Sequence, residues 1–253
     1  MAGLFYPAAS DELRTAIEGY LAAAHSTGSS PKALIAPHAG YVYSGPVAAA
    51  AYASLAEARG EVRRIVLLGP AHRMALAGMA ISSATAFSTP LGQVPVDAEA
   101  FEIAKGVPNV RVFDPPFEDE HSLEVQLPFL QVVLEDFRVL PVLVGQTPPE
   151  SVAALIDALW GGDETRIIVS SDLSHYHDYE QAQQLDQHTA ELVETLQLED
   201  LTSEHACGCH PLRGLLEAAR ARGLLVHAVD LRNSGDTAGP RSRVVGYGSF
   251  LVG

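Results

Sequence analysis

Seven short runs of aliphatic and β-branched residues alternate along this chain with stretches whose apolar residues recur at helical spacing, and that alternation constrains the fold more than any other feature. The runs predict strands over residues 33–36, 64–68, 78–82, 138–144, 166–170, 226–231 and 244–252. The intervening stretches predict helices over 10–24, 46–58, 98–105, 123–134, 149–159, 179–196 and 211–222. Ser10 is the expected N-cap of the first, ahead of Asp11 and Glu12. Pro211 fits the first helical position of the last, where a missing N–H costs nothing. Alternation of this kind reads as an α/β fold with a mixed, largely parallel sheet flanked by helices on both faces. No repeat, linker or low-complexity tract divides the 253 residues, so a single domain over 1–253 is expected.

In open sheets of this class, ligands bind beyond the carboxyl ends of the strands. The polar residues that follow each strand are therefore the ones to inspect. Pro37-His38 follows the 33–36 run, and Gly69-Pro70-Ala71-His72 follows 64–68. Ser171-Asp172-Leu173-Ser174-His175-Tyr176 follows 166–170. One such histidine is ordinarily a hydrogen-bonded turn residue, but three strands each delivering one point to a shared site. His38 and His72, on strands adjacent in sequence, have the makings of a transition-metal site.

Three further segments carry chemistry. Cys207, Cys209 and His210 stand just ahead of the helix opened by Pro211, where the helix dipole favours a thiolate suited to metal ligation or nucleophilic attack. The other reading of the two cysteines is small buried packing residues. Asp172 stands three residues before His175, and a carboxylate that orients an imidazole supports a general base or a ligand; it can equally cap a following helix. His121 begins the 123–134 pattern with Glu124 one turn on, while Glu118 and Asp119 are explained by the dipole of that helix alone. G-x-S-x-G, P-loop, G-x-G-x-x-G and DxDxDG patterns are absent, which removes the sequence basis for serine hydrolase, nucleotide and calcium readings. Trp160, Met74 and Met79 read as packing residues, and His25, His188, His205 and His227 as surface or helix histidines.

Composition excludes several partners. With 31 Asp and Glu against 16 Lys and Arg, the formal charge of −15 repels phosphate backbones and anionic lipid, so neither nucleic acid nor a membrane surface is expected as a partner. No apolar stretch approaches the length of a spanning helix, and the N-terminal residues lack a signal-peptide pattern. Two cysteines one residue apart would form a strained disulfide, so a reducing, cytoplasmic setting is expected.

Taken together, these segments resemble the Memo family, whose bacterial members are called AmmeMemoRadiSam system protein B. The resemblance runs almost full length. It is carried by AGLFYP (2–7), APHAGYVYSG (36–45), LGPAH (68–72), DEHSLEVQLPFL (119–130), PVLVG (141–145), SSDLSHY (170–176), CGCHP (207–211) and NSGDTAGPRSRVVGY (233–247). It implies the fold of class III extradiol (LigB-type) dioxygenases, with a metal pocket at one end of a mixed sheet. It places the family's metal ligands on His38, His72 and Cys207, with iron or copper as the expected ion and zinc as the alternative. It puts a pocket histidine, an acid/base in the dioxygenases, at His175, and a pocket-lining aromatic at Phe5. One departure is Arg73, which stands where the family's GPSHH block carries a second histidine. A 2-His-1-Cys set is softer than the 2-His-1-carboxylate set of the dioxygenases and suits Cu(I) or Zn as well as iron, so dioxygenase activity does not come with the fold.

The expectation is a metal-dependent, oxidoreductase-like enzyme acting on an unidentified small molecule. His175, Asp172 and His121 form its catalytic set, with Asp172 orienting His175, and Phe5 and Tyr41 contact the substrate. The alternatives are a metal- or redox-binding protein without turnover, partnered by the radical-SAM and AMMECR1-type proteins that the system name implies, and a zinc hydrolase.

Overall fold

Apolar side chains on both faces of the central strands require cover on two sides, and the fold supplies it with two layers of helices. The computed structural model describes residues 1–24 and 30–253, so the reading of His25 lies outside the described residues. In chain order the elements are α1 (Ser10–Ala23), β1 (Ala33–Ala36), α2 (Tyr41–Tyr52), β2 (Arg64–Pro70), β3 (Met79–Ile81), β4 (Ala86–Thr89), β5 (Gly92–Pro95) and α3 (Ala98–Lys105). There follow β6 (Val110–Val112), α4 (Leu127–Val133), β7 (Arg138–Val144), α5 (Pro149–Ala158), β8 (Thr165–Ser170), β9 (His175–His177) and α6 (Tyr179–Glu194). The last are α7 (Cys209–Arg222), β10 (Val226–Asn233), α8 (Ser234–Thr237) and β11 (Val244–Val252).

The main sheet has the order β10-β11-β1-β8-β2-β7-β3-β6, with β9 added against β11. Its centre, β1-β8-β2-β7, is parallel, while β11, β10 and β3 join antiparallel on the two sides. The period of two divides each central strand between the two cores. Ile35, Val66, Leu68, Ile167 and Val169 face a core closed by α5 and α7 through Val152, Leu155, Leu212 and Leu215. Leu34, Ile65, Leu67 and Ile168 face the other, closed by Leu13 and Ile17 of α1, Tyr52 of α2 and Phe129 of α4. Each fully buried Leu or Ile contributes about 1.5–3 kcal/mol of apolar burial. No helix among the described residues is long and apolar enough to cross a membrane.

Several predicted boundaries move for identifiable reasons. Helix α1 is capped at Ala9, without a side-chain cap, so Ser10 is its first residue. Helix α2 starts at Tyr41 rather than Pro46, because the carbonyl of Phe5 accepts the Tyr41 N–H at 2.7 Å and fixes the first turn. Pro46 then sits inside the helix, its missing bond falling on the turn of exposed Val42. The predicted helix over 123–134 splits into a 3₁₀ turn, Glu124–Gln126, and α4, because Pro128 is tolerated only near a helix start. Met74 is exposed rather than packed, whereas Met79 is fully buried.

Candidate metal centre

The site forms where β1, β2 and β8 end at one edge of the sheet. Parallel pairing sets Ala36 beside Ser170 and Leu68 beside Val169, so the segments carrying His38, His72 and residues 171–175 emerge side by side. The segment before α4 adds His121, and the segment before α7 adds Cys207. Ring centroids are 5.2 Å apart for His38 and His72, 5.4 Å for His38 and His121, and 5.0 Å for His72 and His121. One nitrogen from each of the three rings lies within 4.8 Å of the others, so together they could hold a metal ion. Cys207 Sγ is 3.3 Å from His38 Nε2. These four residues line a cleft of about 690 Å³, together with Arg73, Asp172, His175, Tyr176 and others.

Hydrogen bonds behind the rings decide which nitrogens face the cleft. Tyr52 Oη donates to Gln126 Oε1, so the Gln126 amide donates to the Pro37 carbonyl and to Ser170 Oγ. Ser170 in turn donates its one hydroxyl proton to the Ser122 carbonyl at 2.6 Å. The remaining contact of Ser170 Oγ, 2.9 Å from His38 Nδ1, must then be accepted from the ring. His38 is thereby the Nδ1–H tautomer, with the Nε2 lone pair bare. Burial, followed by the neighbouring His72, pushes the pKa of His38 down to about 3, which keeps that lone pair open.

His72 is fixed in the same way by a carboxylate. Glu120 accepts the His72 amide at 2.6 Å, His72 Nδ1–H at 3.0 Å, and the His121 and Ser122 amides at 2.9 Å each. Burial opposes its ionisation, but these bonds, the His72 ring first, outweigh burial and hold the carboxyl at about 2. His121 differs: its Nδ1 lies 3.4 Å from Glu120 Oε1 but outside hydrogen-bonding geometry, leaving a buried nitrogen without a partner. Burial, then His38, lowers its pKa to about 4.

Asp172 holds two of the cleft residues at once. Its carboxylate accepts the amides of His38 at 2.7 Å and Ala39 at 3.3 Å, while its carbonyl accepts the Cys207 amide at 3.3 Å. Gly208 makes that approach possible, since a Cβ there would meet Ser171 Cβ at 2.7 Å and the Ser170 carbonyl at 2.9 Å. His175 donates from Nδ1 to the Leu173 carbonyl at 2.8 Å, which leaves Nε2 as its free nitrogen.

Five expectations need correction. Asp172 does not orient His175, because its carboxylate is engaged by main-chain amides and Leu173 holds the imidazole instead. Tyr41 is not a cleft residue: its ring is buried against Tyr6 and Phe129, and its hydroxyl donates to the Val125 carbonyl at 2.6 Å. Phe5 reaches the site indirectly, stacked on the back of His121 with centroids 4.4 Å apart. Helix α7 begins at Cys209, leaving Cys207 outside it; burial, followed by the charge of Asp172, pushes the Cys207 thiol well above its usual range and overrides any help from the dipole. Glu124 also faces away from His121 and accepts the Tyr6 hydroxyl at 2.5 Å. Of the supporting residues that sequence reasoning passed over, Ser170 and Gln126 shared one signal, a polar side chain in or at the end of an apolar run, whereas Glu120 was hidden in the charged run 118–121.

Comparisons with known proteins give the fold and the family. A crystal structure of an uncharacterized protein from Escherichia coli K12 superposes with a TM-score of 0.54 at 16% identity, covering 87% of this chain and 99% of that one, which shows a shared fold. A MEMO1 family protein of Methanopyrus kandleri is 36% identical over 280 residues, covering 99% of this chain and 96% of the relative. One of Aquifex aeolicus is 33% identical over 259 residues, covering 98% and 95%. The family model described as Memo-like protein matches residues 1–251, and with it the chain belongs to the Memo-like family.

Proposed function

We propose that this protein is a metal-dependent enzyme of oxidoreductase type, acting on a small molecule in the cleft, with iron or copper held by His38, His72 and Cys207. The observation that carries this reading is the convergence of two bare Nε2 atoms, each fixed from behind by Ser170 or Glu120, on a cleft that also contains a half-buried thiol. Neutral imidazoles backed by hydrogen-bond acceptors are the usual ligand form, and a thiolate beside them favours a soft or borderline ion. When bound, such an ion supplies redox and Lewis-acid chemistry. The protein's own share is positioning and proton handling. Asp172 fixes the main chain of His38 and Cys207, and His175, held by Leu173, presents Nε2 as the proton acceptor or donor for substrate.

Anaerobic metal loading followed by metal analysis and absorption spectroscopy tests this. About one ion per chain is expected, with a thiolate-to-metal charge-transfer band that disappears in Cys207→Ser. Full loading of that variant with an unchanged spectrum would remove Cys207 from the ligand set.

A second reading rests on the partnerless Nδ1 of His121 and on the three-histidine group. Three imidazoles with an open position are the arrangement of a hydrolytic zinc site. It predicts zinc as the native ion, loss of metal in His121→Ala, and retention in Cys207→Ser.

A further inference from the structure

Among the described cleft-lining residues, Arg73 is the one with a permanent positive charge. Its Nε donates to the Asp119 carbonyl at 3.2 Å. Asp119 has φ 58°, a left-handed conformation that costs a non-glycine residue energy and that aims this carbonyl at the guanidinium. The anchored edge leaves both terminal nitrogens of Arg73 without a partner among the described residues. Nearby carboxylates do not claim them: Glu120 already accepts four N–H groups and Asp172 two. Glu204 lines the same cleft without forming an ion pair to Arg73. On the Tyr176 side, Arg243 lies 4.3 Å from the Tyr176 ring and adds positive potential there. On a chain of formal charge −15, and in a cleft whose other lining charges, Asp172 and Glu204, are acidic, this puts one permanent positive charge next to His72.

We infer that Arg73 recognises an oxyanion, the carboxylate or phosphate end of a small molecule whose other end reaches His38, His72 and Cys207. The inference rests on the proposed metal site and names the class of substrate it takes. A guanidinium anchored at Nε offers its terminal N–H groups in the planar geometry that carboxylate and phosphate oxygens accept.

The test uses three probes of matched size: propanoate, propanamide and ethylphosphonate. Each is titrated by NMR into ¹⁵N-labelled protein, metal-free and zinc-loaded, following the Arg73 Nε–H resonance, which is assigned by its loss in Arg73→Lys. At least one anion is expected to shift that resonance and to bind roughly tenfold more tightly than propanamide, the order that one charge-assisted pair supplies. The tighter anion assigns carboxylate or phosphate. Arg73→Gln should lose that preference while its melting temperature and zinc stoichiometry stay unchanged, and Arg73→Lys should keep part of it. Equal binding of propanamide and both anions to the wild-type protein overturns the inference, as does full anion affinity in Arg73→Gln. Failure of the wild-type protein to take up metal, with anion binding at Arg73 intact, would overturn the metal reading instead.

Discussion

Replacing Ser170 by alanine tests the account of how the centre is ordered. Ser170 Oγ is fully buried and makes three bonds: it accepts from Gln126 at 2.8 Å and from His38 at 2.9 Å, and it donates to the Ser122 carbonyl at 2.6 Å. Gln126 retains its bond to Pro37, so the substitution fully orphans two buried groups, His38 Nδ1–H and the Ser122 carbonyl. Each orphan costs about 1–3 kcal/mol, and the space left by one oxygen is too small for a water to replace it, so a loss of about 4 kcal/mol is expected. That is a large part of the ~5–15 kcal/mol that holds a typical domain together. The second effect is on the ring. Without Ser170, His38 is free to carry its proton on Nε2, and loss of such an outer hydrogen bond lowers metal affinity by about 10–100-fold. Urea unfolding of the metal-free protein measures the first effect, and competition with a chromophoric chelator measures the second. A stability loss below about 1 kcal/mol would refute the orphan count. Unchanged metal affinity in a destabilised variant would refute the tautomer argument alone.

Other expectations follow from neighbouring contacts. Asp186 is buried on α6, where it accepts the Ser174 amide at 3.0 Å, and burial raises its pKa from 3.8 to about 6. The native state therefore binds its proton more tightly, and stability falls as pH rises from about 4 to 6 and levels off above; Asp186→Asn should flatten this window and stabilise the protein at pH 7 by up to about 3 kcal/mol, as read from melts across pH. A variant as pH-dependent as wild type would refute it. Tyr41→Phe should cost about 1–2 kcal/mol of stability through the orphaned Val125 carbonyl and leave metal and small-molecule binding unchanged; a selective binding defect would restore Tyr41 to the site. Gly208→Ala, with its Cβ forced to 2.7 Å from Ser171, should cost about 1–3 kcal/mol and displace Cys207, and a wild-type melt with wild-type metal affinity would contradict the close packing.

The parts of the fold that the sequence revealed are those fixed locally. Strands β1, β7 and β11 and helix α3 coincide with the predicted ranges, because their apolar runs are bounded by polar residues and α3 carries its own cap in Asp97. The start of α2 was hidden because a distant carbonyl, that of Phe5, sets it. The hairpin β4–β5 and strand β9 were hidden because each is short and defined by its pairing rather than by periodicity. The same division holds in the site. His38 and His72 were legible because strand ends map onto the ligand edge. The role of Asp172 was not, since the amides it accepts lie 134 and 133 positions away and no spacing rule reaches that far.

The electrostatics of the assembled site suit a place that could hold a cation. Asp172 is buried and its pKa is raised by that burial, even though two amides donate to it. It also raises the pKa of the Cys207 thiol, so a carboxylate and a thiolate in this space oppose one another. Glu120 adds a further buried negative charge behind His72. Against these stand imidazoles that burial keeps neutral at His38 and His121, with the lone pair of His38 rather than a proton turned to the cleft. Negative charge held behind neutral donors is costly to bury by itself, and a divalent ion among the donors would offset it. It would also stabilise the Cys207 thiolate that burial otherwise disfavours, because a coordinating thiol gives up its proton to the metal. Asp172, which ties the main chains of His38 and Cys207 together, therefore links the stability of this edge of the sheet to the placing of the histidines that could hold an ion.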